Sequence, residues 1–443
     1  MANVMRNTRT NRRYLLAVLT FTQAFTYVDR LALGLALQNI KADLRLSDTE
    51  LGLVTGLAFA VFYSLMGIPL ARWADTGNRI TILSVTTALW SIAVAIGSAV
   101  TSFLQLITIR IFVAIGEAGC LPPSHSLIAD SFERKQRAKA VAVFMMASPL
   151  SMIIGYFVSG WLIQNYGWRD TFLVLSVPGL VVAALIWLTL RDPRIDERAE
   201  ASGLVRRRGP GESESFLTVF SVLWRNCAFR NLLFCFSVLC FFGQGILQWK
   251  PAFFIRSFGV QTGELGTWFA LIYGVAGIAG TYLGGELAHR FARNNEKLQL
   301  VAMSIAFCCF GVLSAGIYLS SSLFGALVFL TAATFGGYMV NGPFFAVIQT
   351  LVPARMRATS IAIIYLVANL VGMGLGPLAA GAISDALHPT LGSESLRYSL
   401  LLLCPGYIWV GWYAWRASLT VLADLNGALV ADEMPTTAMT GRT

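Results

Sequence analysis

Four ionisable residues lie inside apolar stretches of the first part of the chain. Asp29 and Arg30 are neighbours within "FTQAFTYVDRLALGLAL", and Arg110 and Glu117 lie in "RIFVAIGEAG". A charge at the centre of a bilayer costs at least about 2.5 kcal/mol, so such residues usually face a wet cavity and mark a path for protons, ions or substrate. A carboxylate beside an arginine can also be switched, because protonating the acid frees the arginine for another anion. These residues therefore favour coupled transport.

The depth of these residues in their helices predicts that they meet. Counting 1.5 Å per residue places Asp29 roughly 22 Å from the cytoplasmic face, with Arg110 about 9 Å and Glu117 about 20 Å below the outer face. We predict that Asp29 is the leading proton carrier and that Glu117 is a second carrier or a substrate-sensing partner. Arg30 and Arg110 would then be counter-ions, and Arg110 could bind an anionic head group. A purely structural set of ion pairs is the alternative.

The composition indicates the elements that must position these residues. The chain has 443 residues, of which 56% are hydrophobic and 13% charged, and a mean hydropathy of +0.66. A soluble protein carries roughly a quarter charged residues. Apolar runs of about 20 residues, enough to cross a bilayer, recur along the sequence. The sequence therefore predicts an all-α polytopic membrane protein.

Twelve apolar runs are separated by polar loops. The basic residues are concentrated in every second loop. This bias places both termini in the cytoplasm and explains the net charge of +10 without nucleic acid. The predicted domains are a six-helix bundle over 14–190, a cytoplasmic linker over 191–228, a second bundle over 229–418 and a cytoplasmic tail over 419–443. The predicted spans are 14–40, 50–72, 79–101, 104–129, 137–163, 170–190, 229–256, 264–288, 298–318, 323–350, 357–384 and 397–418.

The two halves repeat one another. "RAKAVAVF" at Arg137 and "RATSIAII" at Arg357 each open a helix after a basic loop. Two six-helix units related by a pseudo-two-fold axis are typical of transporters of the rocker type, in which the site lies between the halves at mid-membrane.

Several motifs resemble those of one family. "ARWADTGNR", Ala71 to Arg79, resembles the loop signature of the major facilitator superfamily, with Ala71 in place of the first glycine. "YVDRLALGLALQNIKADLRLSDTELGLVTGLAF" and "RIFVAIGEAG" resemble its spinster branch. This resemblance implies a bacterial, proton-linked carrier of amphiphiles such as sphingolipids or lysophospholipids. Related sugar-acid carriers share much of the "DR" opening.

The same resemblance implies a cytoplasmic latch that stabilises the outward-facing state. It would contain Asp75 and Arg79 of the loop signature, together with Arg134 and Arg137 of a nearby loop. The eleventh helix begins close by, so its positive end could attract the Asp75 carboxylate.

Polar residues of the second half are weaker candidates, since hydrogen bonding between helices explains them equally well. The candidates for lining a cavity are Gln244, Gln248, Tyr338, Asn341, Tyr365 and Asn369. Around them the second half is aromatic and apolar, as in "LLFCFSVLCFFGQG" and "GGYMVNGPFFAV". A cavity with one charged wall and one apolar wall would suit an amphiphile.

The sequence contains no evident catalytic or metal-binding constellation. Its three histidines, His125, His289 and His388, are too far apart for a metal cluster or an evident triad. No phosphate-binding glycine loop is present either. We therefore expect no enzyme activity and no cofactor, with the proton gradient as driving force. The expected protein is a multi-pass monomer of the cell inner membrane that carries an amphiphile; a carrier of small organic anions and a multidrug exporter are the alternatives.

Overall fold

The computed structural model describes residues 2–193, 221, 223–292, 295–352 and 357–433; among these, the side chains of 2–11, 75, 134, 135, 138, 357–359, 362 and 426–433 are not described. The described residues form helices and no strand. The first half contains α1 (Ala2–Leu44), α2 (Asp48–Gly52), α3 (Ala58–Thr76), α4 (Arg79–Gly97), α5 (Phe103–Ala118), α6 (Leu121–Ser131), α7 (Arg134–Met145) and α8 (Ala147–Thr189). The second contains α9 (Cys227–Phe258), α10 (Thr262–Leu271), α11 (Gly277–Phe291), α12 (Glu296–Leu319), α13 (Leu323–Leu351), α14 (Arg357–Ala368), α15 (Gly376–Leu391), α16 (Ser395–Leu403) and α17 (Gly406–Glu433).

These helices are suited to a bilayer, because a helix satisfies its own backbone polar groups where water is absent. Among the described residues, nine helical stretches are long and apolar enough to cross a membrane. Two of them, Lys139–Thr189 and Ile363–Leu425, have 51 and 63 residues and can each cross twice. With α1, which carries Asp29 and Arg30, the described chain is consistent with the twelve predicted crossings.

Polar residues at the helix ends determine where several helices begin. Ser47 accepts a hydrogen bond from the backbone N–H of Glu50, whose side chain returns one to the backbone N–H of Ser47. Asn78 and Ser102 cap α4 and α5 in a similar way through their side chains. Such caps satisfy N–H groups that have no partner within the helix.

The long helix α8 is divided by a glycine. Gly167 has φ 80° and ψ 171°, a conformation that a residue with a side chain rarely adopts. The break lies between the predicted spans 137–163 and 170–190. Three predicted spans are each divided by a short turn: the fourth between Ala118 and Leu121, the fifth at Met146 and the twelfth between Leu403 and Gly406.

In the part of the chain that the structure describes, three short π-helical segments interrupt the helices. They are Leu53–Leu57 between α2 and α3, Ile272–Ala276 between α10 and α11, and Asn369–Leu375 between α14 and α15. Such segments are frequent at functional sites. The third begins at Asn369, one of the predicted cavity residues.

The chain divides into two compact units. The first contains Met1–Gly209, Gln248–Gly274 and Pro377–Leu396, and the second contains Pro210–Leu247, Val275–Gly376 and Arg397–Thr443. Within the first unit, α8 packs on α1, α4 and α10. Within the second, α12 packs on α13 and α17, and α11 packs on α13. The division into bundles of 14–190 and 229–418 stays a prediction, and most of the predicted linker lies outside the described residues.

Glycine allows α8 and α10 to approach closely inside the first unit. A Cβ on Gly160 would lie 3.0 Å from Cα of Gly266, closer than ordinary packing allows. Small residues at a helix crossing bring two backbones together in a membrane. This close approach places α10, which comes from the second half of the chain, directly against α8.

Candidate functional site

The four charged residues predicted to meet lie together in the first unit, between α1 and α5. We call Asp29, Arg30, Arg110 and Glu117 the charged cluster. Asp29, Arg110 and Glu117 are buried, with exposed fractions of 4%, 5% and 2%. Arg30 is the most accessible member, and 18% of its side chain is exposed.

Two ion pairs connect α1 and α5 within the cluster. Arg110 of α5 donates a hydrogen bond of 3.0 Å to the Oδ2 atom of Asp29 on α1. Arg30 of α1 donates to the Oε2 atom of Glu117 on α5 through Nε at 2.8 Å and through NH2 at 2.6 Å. Each helix therefore supplies one acid and one base, and each charge is compensated by the other helix.

The spacing along each helix explains this arrangement. Arg110 and Glu117 are seven residues apart, which places them two turns apart on the same face of α5. Asp29 and Arg30 are adjacent, so their side chains leave α1 in different directions. One α1 residue can then contact each level of α5.

Aromatic rings hold the two guanidinium groups, and the sequence analysis did not identify them. The Cζ atom of Arg30 lies 4.5 Å from the ring centroid of Phe59, 5.2 Å from that of Tyr63 and 5.7 Å from that of Tyr27. The Cζ atom of Arg110 lies 5.1 Å from the Phe59 centroid. Both arginines therefore share Phe59, in a cation–π arrangement that stabilises a desolvated cation.

Two polar atoms of the cluster have no hydrogen bond among the described residues. They are Oε1 of Glu117 and Nε of Arg110, and both are buried. A buried carboxylate oxygen without a donor costs free energy while the group is ionised. Taking up a proton at Glu117 would relieve that cost, and Arg30 would then be available to another anion.

Comparison with known proteins identifies the family to which the chain belongs. Residues 19–377 match the Major Facilitator Superfamily. The chain belongs to this superfamily. It is therefore a transporter rather than an enzyme, and a multi-pass membrane protein with the major facilitator fold, as the sequence predicts.

Individual relatives differ in what they are named for. The chain is 31% identical over 412 residues to a protein of Mycolicibacterium smegmatis named MFS-type efflux pump, and the match covers 92% of this chain and 93% of that protein. It is 25% identical over 369 residues to the hexuronate transporter of Bacillus subtilis, with 81% and 85% of the two chains covered.

A solved structure resembles most of the chain. It is the crystal structure of a bacterial homolog of the human lysosomal transporter spinster, in an inward-facing and unoccupied conformation. The TM-score is 0.82 with 28% sequence identity, and the match covers 94% of this chain and 98% of that one. The resemblance of this superfamily member to the spinster branch is thus confirmed.

The residues of the superfamily loop signature are only partly described. Arg79 is fully buried, and its NH1 atom donates to Asp130 at 2.6 Å and to Ser126 at 3.0 Å. It also pairs with Asp192, which accepts from Nε at 3.0 Å and from the Arg79 backbone N–H at 3.0 Å. Neither acid was identified from the sequence. Arg79 thus joins the start of α4 to the end of α6 and to the residues after α8.

The other predicted latch residues give less information. The side chains of Asp75 and Arg134 lie outside the described residues, as does the side chain at the start of α14. Arg137 is exposed and donates from Nε to the backbone carbonyl of Phe132 at 3.0 Å. The latch therefore stays a prediction.

The predicted cavity residues are divided between the units. Gln248 lies in the first, where its Oε1 atom is 3.2 Å from the position of a Cβ on Gly34. The second unit contains the exposed side chains of Asn341 and Tyr365 and the partly buried ones of Gln244, Tyr338 and Asn369. Their roles stay predictions.

Tyr365 belongs to a group of aromatic side chains within the second unit, which we call the aromatic cluster. Its ring stacks on Phe345, with centroids 5.5 Å apart, and meets Phe236 edge to face at 5.7 Å. Phe344 stacks on Phe236 at 5.2 Å. Phe236 and Phe344 are buried and Tyr365 is exposed, so the aromatic cluster runs from the interior of the second unit to its surface.

Proposed function

We propose that this protein is a proton-coupled secondary transporter that moves an amphiphilic, lipid-like molecule by rocker-type alternating access. The observation that carries the proposal is the exchanged pairing of two buried acids with two buried arginines between α1 and α5. Ionisable groups inside a membrane usually mark the path of protons or charged substrates. Asp29 and Glu117 are the proposed proton carriers, and Arg30 and Arg110 the proposed counter-ions.

Protonation would release an arginine in this scheme. When Glu117 takes up a proton, its attraction for Arg30 weakens, and Arg30 gains capacity for an anionic head group. Arg30 is suited to this role because it is the most accessible member of the charged cluster. Because the two acids are close, they would titrate as a coupled pair rather than one at a time.

The proposed substrate class rests on the contrast between the units. The first contains the charged cluster, and the second contains the aromatic cluster of Phe236, Phe344, Phe345 and Tyr365. An amphiphile has an anionic or polar head that suits the charged cluster and an apolar tail that suits the aromatic cluster. The similarity to a bacterial spinster homolog supports a substrate of this kind.

The proposed setting follows from the same features. We place the transporter in the cytoplasmic membrane as a monomer that uses the proton gradient and no cofactor. Asp75, Arg134 and Arg137 are proposed to latch the cytoplasmic side, with Arg79 as the buried anchor of their loop.

A carrier of small organic anions is the second candidate. The chain is similar over most of its length to a hexuronate transporter, whose named substrate is a carboxylate. The guanidinium groups of Arg30 and Arg110 could each bind a carboxylate. A multidrug exporter is the third candidate, and the similarity to a protein named as an efflux pump supports it.

Uptake into proteoliposomes tests the leading proposal. Purified protein would be given a labelled lysophospholipid with and without a pH gradient, beside Asp29→Asn and Glu117→Gln. We expect gradient-stimulated uptake in the wild type and its loss in one or both variants. Asp43→Asn is the matched control, because Asp43 also lies on α1 but pairs with Arg169 at 2.9 Å and has 44% of its side chain exposed. Uptake of a hexuronate but of no lipid would favour the second candidate.

A further inference from the structure

A buried carboxylate at the other end of the first unit is held by donors from distant parts of the chain. Asp48, at the start of α2, is 1% exposed. Arg256 of α9 donates to its two oxygens from NH1 at 2.7 Å and from NH2 at 2.6 Å. Ser384 of α15 donates to Oδ2 at 2.6 Å, and Lys41 of α1 donates to Oδ1 at 2.6 Å.

A second carboxylate, from the second half of the chain, accepts hydrogen bonds from the start of α2. Asp385 of α15 accepts from the backbone N–H groups of Asp48 at 3.0 Å and Thr49 at 2.7 Å, and from the Thr49 hydroxyl at 2.6 Å. We call Lys41, Asp48, Arg256, Ser384 and Asp385 the outer clasp. It joins α1 and α2, from the first half of the chain, to α9 and α15, from the second.

The clasp lies on the outer side in the predicted topology. Asp48 begins the helical stretch that ends at Thr76, and these 29 residues span about 43 Å. Arg79, in the predicted cytoplasmic turn, follows the far end of that stretch. The clasp and the Arg79 site are therefore at opposite faces of the membrane.

The start of α2 is built so that the clasp can open without unfolding the helix. The first N–H groups of a helix have no partner within it, and an acid at that end is favourable. Ser47 caps α2 from within the same segment, and its capping box with Glu50 needs no other helix. Asp385 caps it from α15. If α15 moved away, only the second cap would be lost.

We propose that the outer clasp closes the outer end of the transporter and must open in every cycle, with Asp48 setting the balance between the closed and open states. This inference rests on the alternating-access part of the proposed function and is independent of the substrate. The Asp48 carboxylate accepts charge-assisted hydrogen bonds from two cations, Arg256 and Lys41, and these bonds hold the segments together only while the segments are in contact. Removing its charge should therefore favour the open outer end.

The first unit offers a reporter of closure that does not depend on transport. A Cβ on Gly263, at the start of α10, would lie 3.6 Å from the Cβ of Gln164 on α8. Cβ atoms at this separation suit a disulfide. The double variant Gln164→Cys/Gly263→Cys should therefore form a disulfide quickly when the outer end is closed. A protease site inserted in the linker and a gel without reductant would reveal the link between the two halves, with each single-cysteine variant as a blank.

The experiment compares the rate of this disulfide in three backgrounds. Asp48→Asn should slow its formation at least about fivefold, because even a small loss of the free energy that favours the closed state changes the open–closed equilibrium by that factor. Asp43→Asn should leave the rate unchanged, because its pair with Arg169 at the same end joins only α1 and α8. Arg256→Gln should match Asp48→Asn, and the double variant should add little, because both remove the same interaction.

The outcomes are distinct. Equal rates in Asp48→Asn, Asp43→Asn and the unchanged background would overturn the proposal, and so would an equal slowing by both aspartate variants. A slower disulfide in Asp48→Asn, together with a failure of every lysophospholipid to be taken up, would support the clasp and reject the proposed substrate.

Discussion

Arg110 on α5 donates a hydrogen bond of 3.0 Å to Asp29 on α1, and both side chains are buried. A buried ion pair adds little stability over a well-packed apolar pair, whereas removing one partner leaves an uncompensated charge. The pair therefore makes α1 and α5 depend on each other's charge. The same reasoning applies to Arg30 and Glu117, so the charge of each acid matters to a residue on the other helix.

Removing Arg110 alone should destabilise the protein more than removing the whole pair. Arg110→Met leaves the Asp29 carboxylate buried without a counter-charge, a loss of about 3–5 kcal/mol in buried pairs of this kind. Arg110→Met combined with Asp29→Leu should recover much of that loss. Thermal unfolding in detergent, followed by tryptophan fluorescence, would measure the three proteins. A double variant less stable than Arg110→Met would contradict the pairing.

Replacing Glu117 should separate coupling from movement of the substrate. Glu117→Gln retains an acceptor for Arg30 but cannot carry a proton. A gradient of one pH unit can support about tenfold accumulation for one coupled proton, since it is worth 1.36 kcal/mol. We expect Glu117→Gln to reduce accumulation toward an equal concentration on both sides while exchange of substrate across the membrane continues.

Exchange without a gradient is the control for that prediction. Labelled substrate inside the vesicles should leave when unlabelled substrate is added outside, in Glu117→Gln as in the wild type. If the variant accumulates substrate as well as the wild type does, Glu117 is not a proton carrier and the role falls to Asp29. Loss of both exchange and accumulation would indicate a binding role instead.

The members of the charged cluster could be predicted from the sequence, but their pairing could not. Charges in apolar helices have few alternatives to meeting one another, and a spacing of seven residues places Arg110 and Glu117 on one face of α5. The predicted depths place Arg110 near both Asp29 and Arg30, with Glu117 about two turns deeper. They therefore do not decide which α1 residue pairs with which α5 residue, because that depends on the rotation of α1 about its axis. Phe59 and Tyr63 were missed because aromatic residues four apart on an apolar helix usually indicate ordinary packing.

Contacts between segments that are distant in the chain could not be predicted from the sequence either. Asp192 lies 113 residues from Arg79, in the stretch predicted to be a cytoplasmic linker, and only the fold brings the end of α8 to the start of α4. Asp48 and Asp385 are separated by 337 residues, and each follows or precedes a polar loop where acids are common. The membrane class and the family were predictable because they depend on composition and local motifs.

Arg79 should prove more important for stability than a purely regulatory latch residue would be. Arg79→Lys keeps the charge but cannot reach both Asp130 and Asp192 in the same geometry. Loss of one charged hydrogen bond in a buried site costs about 1.5–3 kcal/mol. Thermal unfolding should therefore shift down in Arg79→Lys and stay unchanged in Arg137→Lys, whose side chain is exposed. Normal stability with altered transport in Arg79→Lys would instead favour the latch role.

The length of the substrate's apolar tail should decide between an amphiphile and a small anion. Burying one CH₂ group contributes about 0.8 kcal/mol, which corresponds to about fourfold in affinity. Lysophospholipids of increasing acyl length, each used below its micellar concentration, should therefore compete with the labelled one about fourfold better per CH₂ until the apolar surface is filled. The measurement is the concentration that halves uptake.

Variants of the second unit make this prediction specific to the aromatic cluster. Phe345→Ala should reduce the gain per CH₂, because it removes a ring that stacks on Tyr365. Phe324→Ala should not, because that side chain, in the first turn of α13, is 77% exposed and is not part of the aromatic cluster. Competition that is independent of acyl length, together with strong competition by a hexuronate, would reject the amphiphile and leave the guanidinium groups of the charged cluster as the site of a small carboxylate.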